Sequence, residues 1–248
     1  MKVIAITNRK GGTGKTTTAT TLCQCLHRMG FRTLFIDLDE QRNGTMVLAP
    51  DQSGKTVIDL FNGTPVQECV SPCAWGDVIP ASTSLAGYTP SRADMLKRAL
   101  NTPGLPYDYV ILDSPPSLKM TTLNALTACD GVVCPVQADM FSMDATKQLL
   151  KSIRTLEKTQ NVKIQIYGIL LCRYASRTAM GKQALDAFKK TAQQYGTDTF
   201  QATIRESVAI REAQAEGTDI FQYAKNAGIA NDYRAFTAEL LQRMNTGA

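Results

Sequence analysis

No run of about 18 apolar residues occurs anywhere in the 248-residue chain, which excludes a helical membrane span. Its first residues lack a charged segment followed by an apolar one, so nothing suggests export. There is no low-complexity tract, no internal repeat and no linker rich in Pro, Gly and Ser. We therefore expect a single domain over residues 1–248. The seven cysteines, Cys23, Cys25, Cys69, Cys73, Cys129, Cys134 and Cys172, are odd in number and lack framework spacing. That argues against a disulfide scaffold and for reduced thiols in a cytoplasm. A structural zinc or iron–sulfur site is also poorly served. Cys23 and Cys25 face different sides of a predicted helix, and the only histidine, His27, is far from Cys69 and Cys73 in sequence. Packing thiols are the reading that remains.

Charge is unevenly placed. Residues 51–150 carry 6 Lys+Arg against 10 Asp+Glu, whereas residues 151–248 carry 14 against 9. The first 50 residues carry 7 against 3, and Arg9, Lys10 and Lys15 among them lie in or beside a glycine-rich loop. The basic C-terminal third needs a partner or is solvated surface.

Short β-branched runs at 2–7, 32–37, 77–81, 109–113, 131–136 and 164–171 alternate with helical patterns near 91–100, 119–128, 142–158, 178–194 and 229–244. This alternation predicts an α/β fold, doubly wound, with a mostly parallel sheet covered by helices on both faces. Residues 40–76, punctuated by Gly44, Pro50, Gly54, Gly63, Pro65 and Pro72, read as surface loops around one short helix at TVIDLF.

Between the first strand and the first helix stands NRKGGTGKTT, residues 8–17. Gly14-Lys15-Thr16 supply the second half of a phosphate-binding loop, although Arg9 stands where the general pattern has its first glycine. Gly11, Gly12 and Gly14 let successive N–H groups turn toward one anion. Lys15 would sit on the β- and γ-phosphates and the Thr16 hydroxyl on Mg²⁺. Strand, glycine loop, helix is also the order that puts phosphate at a helix N-terminus.

In an open α/β sheet, ligands bind beyond the carboxyl ends of the strands, so acids just after strands are candidates. TLFIDLDEQRN ends a run at Asp37 and adds Asp39, and YDYVILDSPPS ends one at Asp113. Asp113 reads as the acid that holds Mg²⁺ and Asp37 as a second member of the metal's outer shell. Asp39 is left to orient or deprotonate the attacking water. An Asp at a strand end can instead be a helix cap.

Taken in order, KGGTGKTT, FIDLDEQRN, YDYVILDSPPS and VVCPVQADMFSMDATKQL resemble the ParA partition ATPases of the wider ParA/MinD group, which has a deviant Walker A loop. The similarity runs on through GILLCRYASRT and IREAQAEGTDI to DYRAFTAELL, weaker toward the C-terminus. The resemblance implies a cytoplasmic P-loop ATPase without an N-terminal helix-turn-helix extension. It would be slow, would dimerise around two ATP molecules with Mg²⁺, and would be stimulated by a ParB-like DNA-binding partner. Lys10, Gly11, Gly12, Thr13, Gly14, Lys15, Thr16 and Thr17 would cradle phosphate, and Thr16, Asp37 and Asp113 would serve the metal. Lys10, Lys15 and Asp39 would act in hydrolysis, Lys10 by reaching the partner's phosphates.

The resemblance also implies sequence-independent DNA binding in the ATP state, on the nucleoid, through Arg177, Arg205 and Arg211. Lys147, Lys151, Arg154 and Lys158 share one helix face and add to the basic character. The chain departs from the family at Arg205, Glu206 and Ala209, where a proline and two arginines are usual, and at Glu40 and Arg42, where Pro and Gly are usual. Two other readings stand beside this one: an ATP-switched dimer that binds a protein assembly, and a metabolic relative of the same fold. Membrane association through Phe236, Leu240, Leu241 and Met244 is the weaker account of the last helix, which we expect to pack on the sheet.

Overall fold

Strand β1 (Lys2–Ile6) is buried at four of its five positions, and β2 (Thr33–Asp37) at all five. Strands covered on both faces read as continuous apolar runs for this reason. The computed structural model describes residues 1–49, 54–160, 162–174 and 178–246. Among them, β3 (Ser71–Cys73), β4 (Gly76–Ile79), β5 (Tyr109–Asp113), β6 (Gly131–Val136) and β7 (Gln165–Leu171) join β1 and β2 in one sheet, ordered β3-β4-β2-β5-β1-β6-β7. Every pairing is parallel except β3 with β4.

Alternate side chains of the strands feed two separate cores. Val3 and Ala5 point into one, which α3 (Val57–Phe61), α5 (Met95–Leu100), α6 (Met120–Ala128), α7 (Met140–Gln160) and α8 (Ala179–Gln194) cover. Ile4 and Ile6 point into the other, beneath α1 (Lys15–Arg28), α9 (Ala209–Ala215), α10 (Ile220–Tyr223) and α11 (Gly228–Thr246). On α11, Phe236 and Leu240 are buried and Leu241 and Met244 pack against this second core. The apolar side of the last helix is thus spent on packing. No helix among the described residues is long and apolar enough to cross a membrane.

The expected strands and long helices are found within a few residues of their expected places. The stretch 40–76 is a correction. Besides the expected helix α3, it contains α2 (Asn43–Leu48), α4 (Val66–Cys69) and the edge strand β3. Gly44 is the physical reason α2 escapes a reading of turn residues. A Cβ there would lie 2.6 Å from Phe35 Cζ, so the glycine marks close packing of a helix on β2. Further along, α9 and α10 form in a stretch where the sequence pattern marks no element.

Register brings the functional ends together. Ile6 of β1 is level with Asp113 of β5, and Asp113 is level with Asp37 of β2. Adjacent strands lie roughly 4.8 Å apart, so three consecutive loops open side by side at one edge of the sheet.

Candidate functional site

The loop that leaves β1 turns tightly because Gly12 and Gly14 adopt φ of 73° and 92°, in the left-handed region. Neighbouring strands brace it. The Asn8 side chain donates to the Pro135 carbonyl (2.7 Å) and accepts from the Lys10 N–H (3.2 Å), while Gln137 Nε2 donates to the Gly12 carbonyl (2.9 Å). Gly11 and Gly12 are exposed, Thr13 is buried, and Thr16 and Thr17 are half-buried at the start of α1. The first turn of α1 contains no acid, which leaves its N-terminus positive.

Lys15 is buried, and its Nζ donates to the Lys10 carbonyl at 2.9 Å. Burial pulls its ammonium below the ordinary lysine range, against the opposing pull of Asp113 and Asp39. Asp113 is wholly buried, and neither carboxylate oxygen has a hydrogen-bond partner. Burial, and after it the nearby Asp37, push its carboxyl well above the usual range, with the Thr16 hydroxyl and Lys15 opposing. An orphaned buried carboxylate of this kind is costly unless a cation meets it. Its position beside Lys15 and Thr16 fits a hydrated Mg²⁺ held by Asp113 and Thr16.

Asp37 is satisfied differently. Its Oδ1 accepts from the Asp39 N–H (3.0 Å), and its Oδ2 accepts from the Thr45 N–H and hydroxyl (both 2.7 Å). Burial raises its pKa, those bonds notwithstanding. Asp37 therefore ties α2 to the end of β2, and any service to a metal is shared with that task. Asp39 is buried, and its Oδ1 accepts from the Gln41 N–H.

Lys10 is half-buried and lies within its own chain, its Nζ 2.7 Å from Asp139 Oδ2. Neither Asp139 nor Asn8 was singled out from the sequence, although Asp139 follows β6 as Asp39 follows β2, and the same rule about strand ends would have found it. Past β7, a cleft joins Gly14 and Thr17 to Arg173, Glu206, Ser207 and Ile210.

The expected DNA-binding arginines have separate fates. Arg177 lies outside the described residues. Arg205 is exposed, but its guanidinium makes two hydrogen bonds to Asp232 (2.7 and 2.8 Å), and its N–H binds the same carboxylate. Arg211 is exposed on α9. Of the α7 stripe, Lys147, Lys151 and Lys158 face solvent, whereas Arg154 turns to Glu157 and the Tyr195 carbonyl. Six cysteines are buried and Cys73 is half-buried, all as free thiols.

A family model described as an AAA domain matches residues 1–166. The sporulation initiation inhibitor protein Soj of Bacillus subtilis is 37% identical to this chain, over 96% of it and 98% of the relative. The chromosome-partitioning ATPase Soj of Thermus thermophilus is 36% identical over 97% and 96%. Among solved structures, apo McdA from Cyanothece superposes with a TM-score of 0.88 at 25% identity, covering 97% of this chain and 99% of that one. Cobyrinic acid a,c-diamide synthase from Mycobacterium smegmatis, bound to an ATP analogue and magnesium, gives 0.82 at 28%, over 100% and 97%. The phosphate loop, the buried acid at the end of β5 and these near full-length likenesses agree: the chain belongs to the ParA/MinD family of P-loop ATPases and is an ATP hydrolase.

Proposed function

We propose that the protein is a Mg²⁺-ATP-dependent partition ATPase that dimerises around ATP and binds DNA without sequence preference in that state. With a ParB-like DNA-binding partner it segregates a plasmid, chromosome or mobile element in the cytoplasm. The observation that carries the nucleotide half of this reading is the unpartnered Asp113 carboxylate, buried beside Lys15 and Thr16. Bound Mg²⁺ would neutralise charge on the β- and γ-phosphates. The chain's own residues do the rest. Backbone N–H groups from Gly11 to Thr17 cradle phosphate at the N-terminus of α1, Lys15 presents a point charge to it, and the cleft past Gly14 receives the nucleoside. Asp39, fixed at its backbone by Asp37, orients the attacking water. Lys10 reaches the partner's phosphates, as an arginine finger does in other NTPases.

Partition is supported by the relatives, among them the chromosome-partitioning ATPase of Thermus thermophilus, and by the lysines that α7 turns to solvent. One observation favours the alternative, an ATP-switched dimer acting on a protein assembly. Arg205 is neutralised by Asp232, with Glu206 beside it. Retention on nonspecific duplex DNA, measured with ATP, with ADP and without nucleotide at two salt concentrations, decides between them. Partition requires ATP-dependent retention that falls steeply with salt. No retention in any state would leave the protein-assembly reading.

A further inference from the structure

The ammonium of Lys10 is held at both ends of its reach within one chain. Its Nζ donates to Asp139 Oδ2 at 2.7 Å and to Ser142 Oγ at 3.2 Å. The acceptor is itself fixed. Asp139 stands just before α7 and accepts from the Ser142 N–H (2.8 Å, Oδ1) and the Ser142 hydroxyl (2.9 Å, Oδ2), which is the geometry of a helix cap. The Lys10 backbone is fixed too, its N–H on Asn8 and its carbonyl under the Lys15 ammonium. An unattached surface lysine would show none of this.

From this geometry we propose that Asp139 and Ser142 form a berth that holds Lys10 within its own chain, so that dimer closure is a competition between the Asp139 carboxylate and the partner's phosphates. The proposal rests on the reading that Lys10 acts across the dimer. Asp139 is then a positioning residue for Lys10, and its removal makes closure easier. The berth is strong enough to hold and weak enough to exchange, because the two side chains are 28% and 34% exposed and solvent screens such pairs. Phe141, in the same turn of α7, is 79% exposed, so the berth opens on a face that a second copy can reach. Lys15 couples the berth to the chain's own nucleotide. Drawing its ammonium onto a phosphate takes a fixing contact away from the Lys10 carbonyl.

Asp139→Asn separates charge from capping, since Asn caps helices as well as Asp does. Sedimentation with increasing amounts of a slowly hydrolysed ATP analogue should show D139N reaching half-maximal dimer at about two- to fivefold lower nucleotide than the parent, the range for a partly exposed ion pair. Ser142→Ala should shift the midpoint in the same direction, by less. A D139N midpoint equal to the parent's or higher, with K10A unable to dimerise, would overturn the berth and leave the cross-dimer role intact. Full dimerisation of K10A would overturn the cross-dimer role and the berth with it. An independent readout is the ¹⁵N signal of the Lys10 ammonium in the nucleotide-free protein. It should be slowed in exchange in the parent and lost in D139N, and a signal unchanged by the substitution counts against the berth.

Discussion

In the proposed function, Asp113 concentrates the Mg²⁺ chemistry in two buried oxygen atoms that lack a hydrogen-bond partner. A neutral amide is cheaper to bury than an unpartnered carboxylate, so Asp113→Asn should stabilise the nucleotide-free protein while removing its grip on Mg²⁺. We expect a gain of about 1–2 kcal/mol, seen as a melting temperature higher by about 2–8 °C. The same substitution should lower Mg²⁺-dependent ATP hydrolysis about a hundredfold or more. A variant that is both less stable and still active would show that the carboxylate has another partner. The sequence makes Asp113 legible because an apolar strand ends on it and two prolines follow. It hides Asp37's second task, because the bond to Thr45 depends on a helix that turn residues disguise.

That helix, α2, is where element-scale prediction and structure part company. Asn43 and Gly44 look like a turn, yet Gly44 is the contact through which α2 lies on Phe35. A side chain at this position has to displace an aromatic ring or the helix. Gly44→Ala should therefore cost about 1–3 kcal/mol and lower the melting temperature by about 2–10 °C. Because Thr45 follows directly and holds Asp37, hydrolysis should fall in the same variant even at temperatures where it is fully folded. Long elements were legible for the opposite reason. Runs such as GVVCPV are buried at every position, and their pattern survives any detail of packing. Short helices such as α9 and α10 owe their form to the core they cover, through Ile210, Ile220 and Phe221, and not to a period of their own.

For the whole molecule, the proposed switch makes stability depend on how much protein is present. If ATP joins two chains, a nucleotide analogue should raise the melting temperature by an amount that grows with protein concentration, roughly 1–3 °C per tenfold. Without nucleotide no such trend is expected. Differential scanning fluorimetry at three protein concentrations would show it, and a concentration-independent shift would mean that the nucleotide binds a lone chain. The K10A variant should bind the analogue and lose the trend. The basic C-terminal third was legible from composition alone. Its partition into solvated lysines on α7 and an arginine bound to Asp232 was not, because ion pairing across 27 positions leaves no mark in a charge count.

The level alignment of Ile6, Asp113 and Asp37 ties accuracy at the reacting end to the middle of the protein. A slip of one position between β5 and either neighbour would turn the Asp113 carboxylate to the opposite side of the sheet. Buried valines, leucines and isoleucines far from any phosphate thus act as the instrument's rule and scale. Exchanges that keep their volume should be silent for hydrolysis, and those that loosen the pairing should blur the chemistry before they unfold the chain.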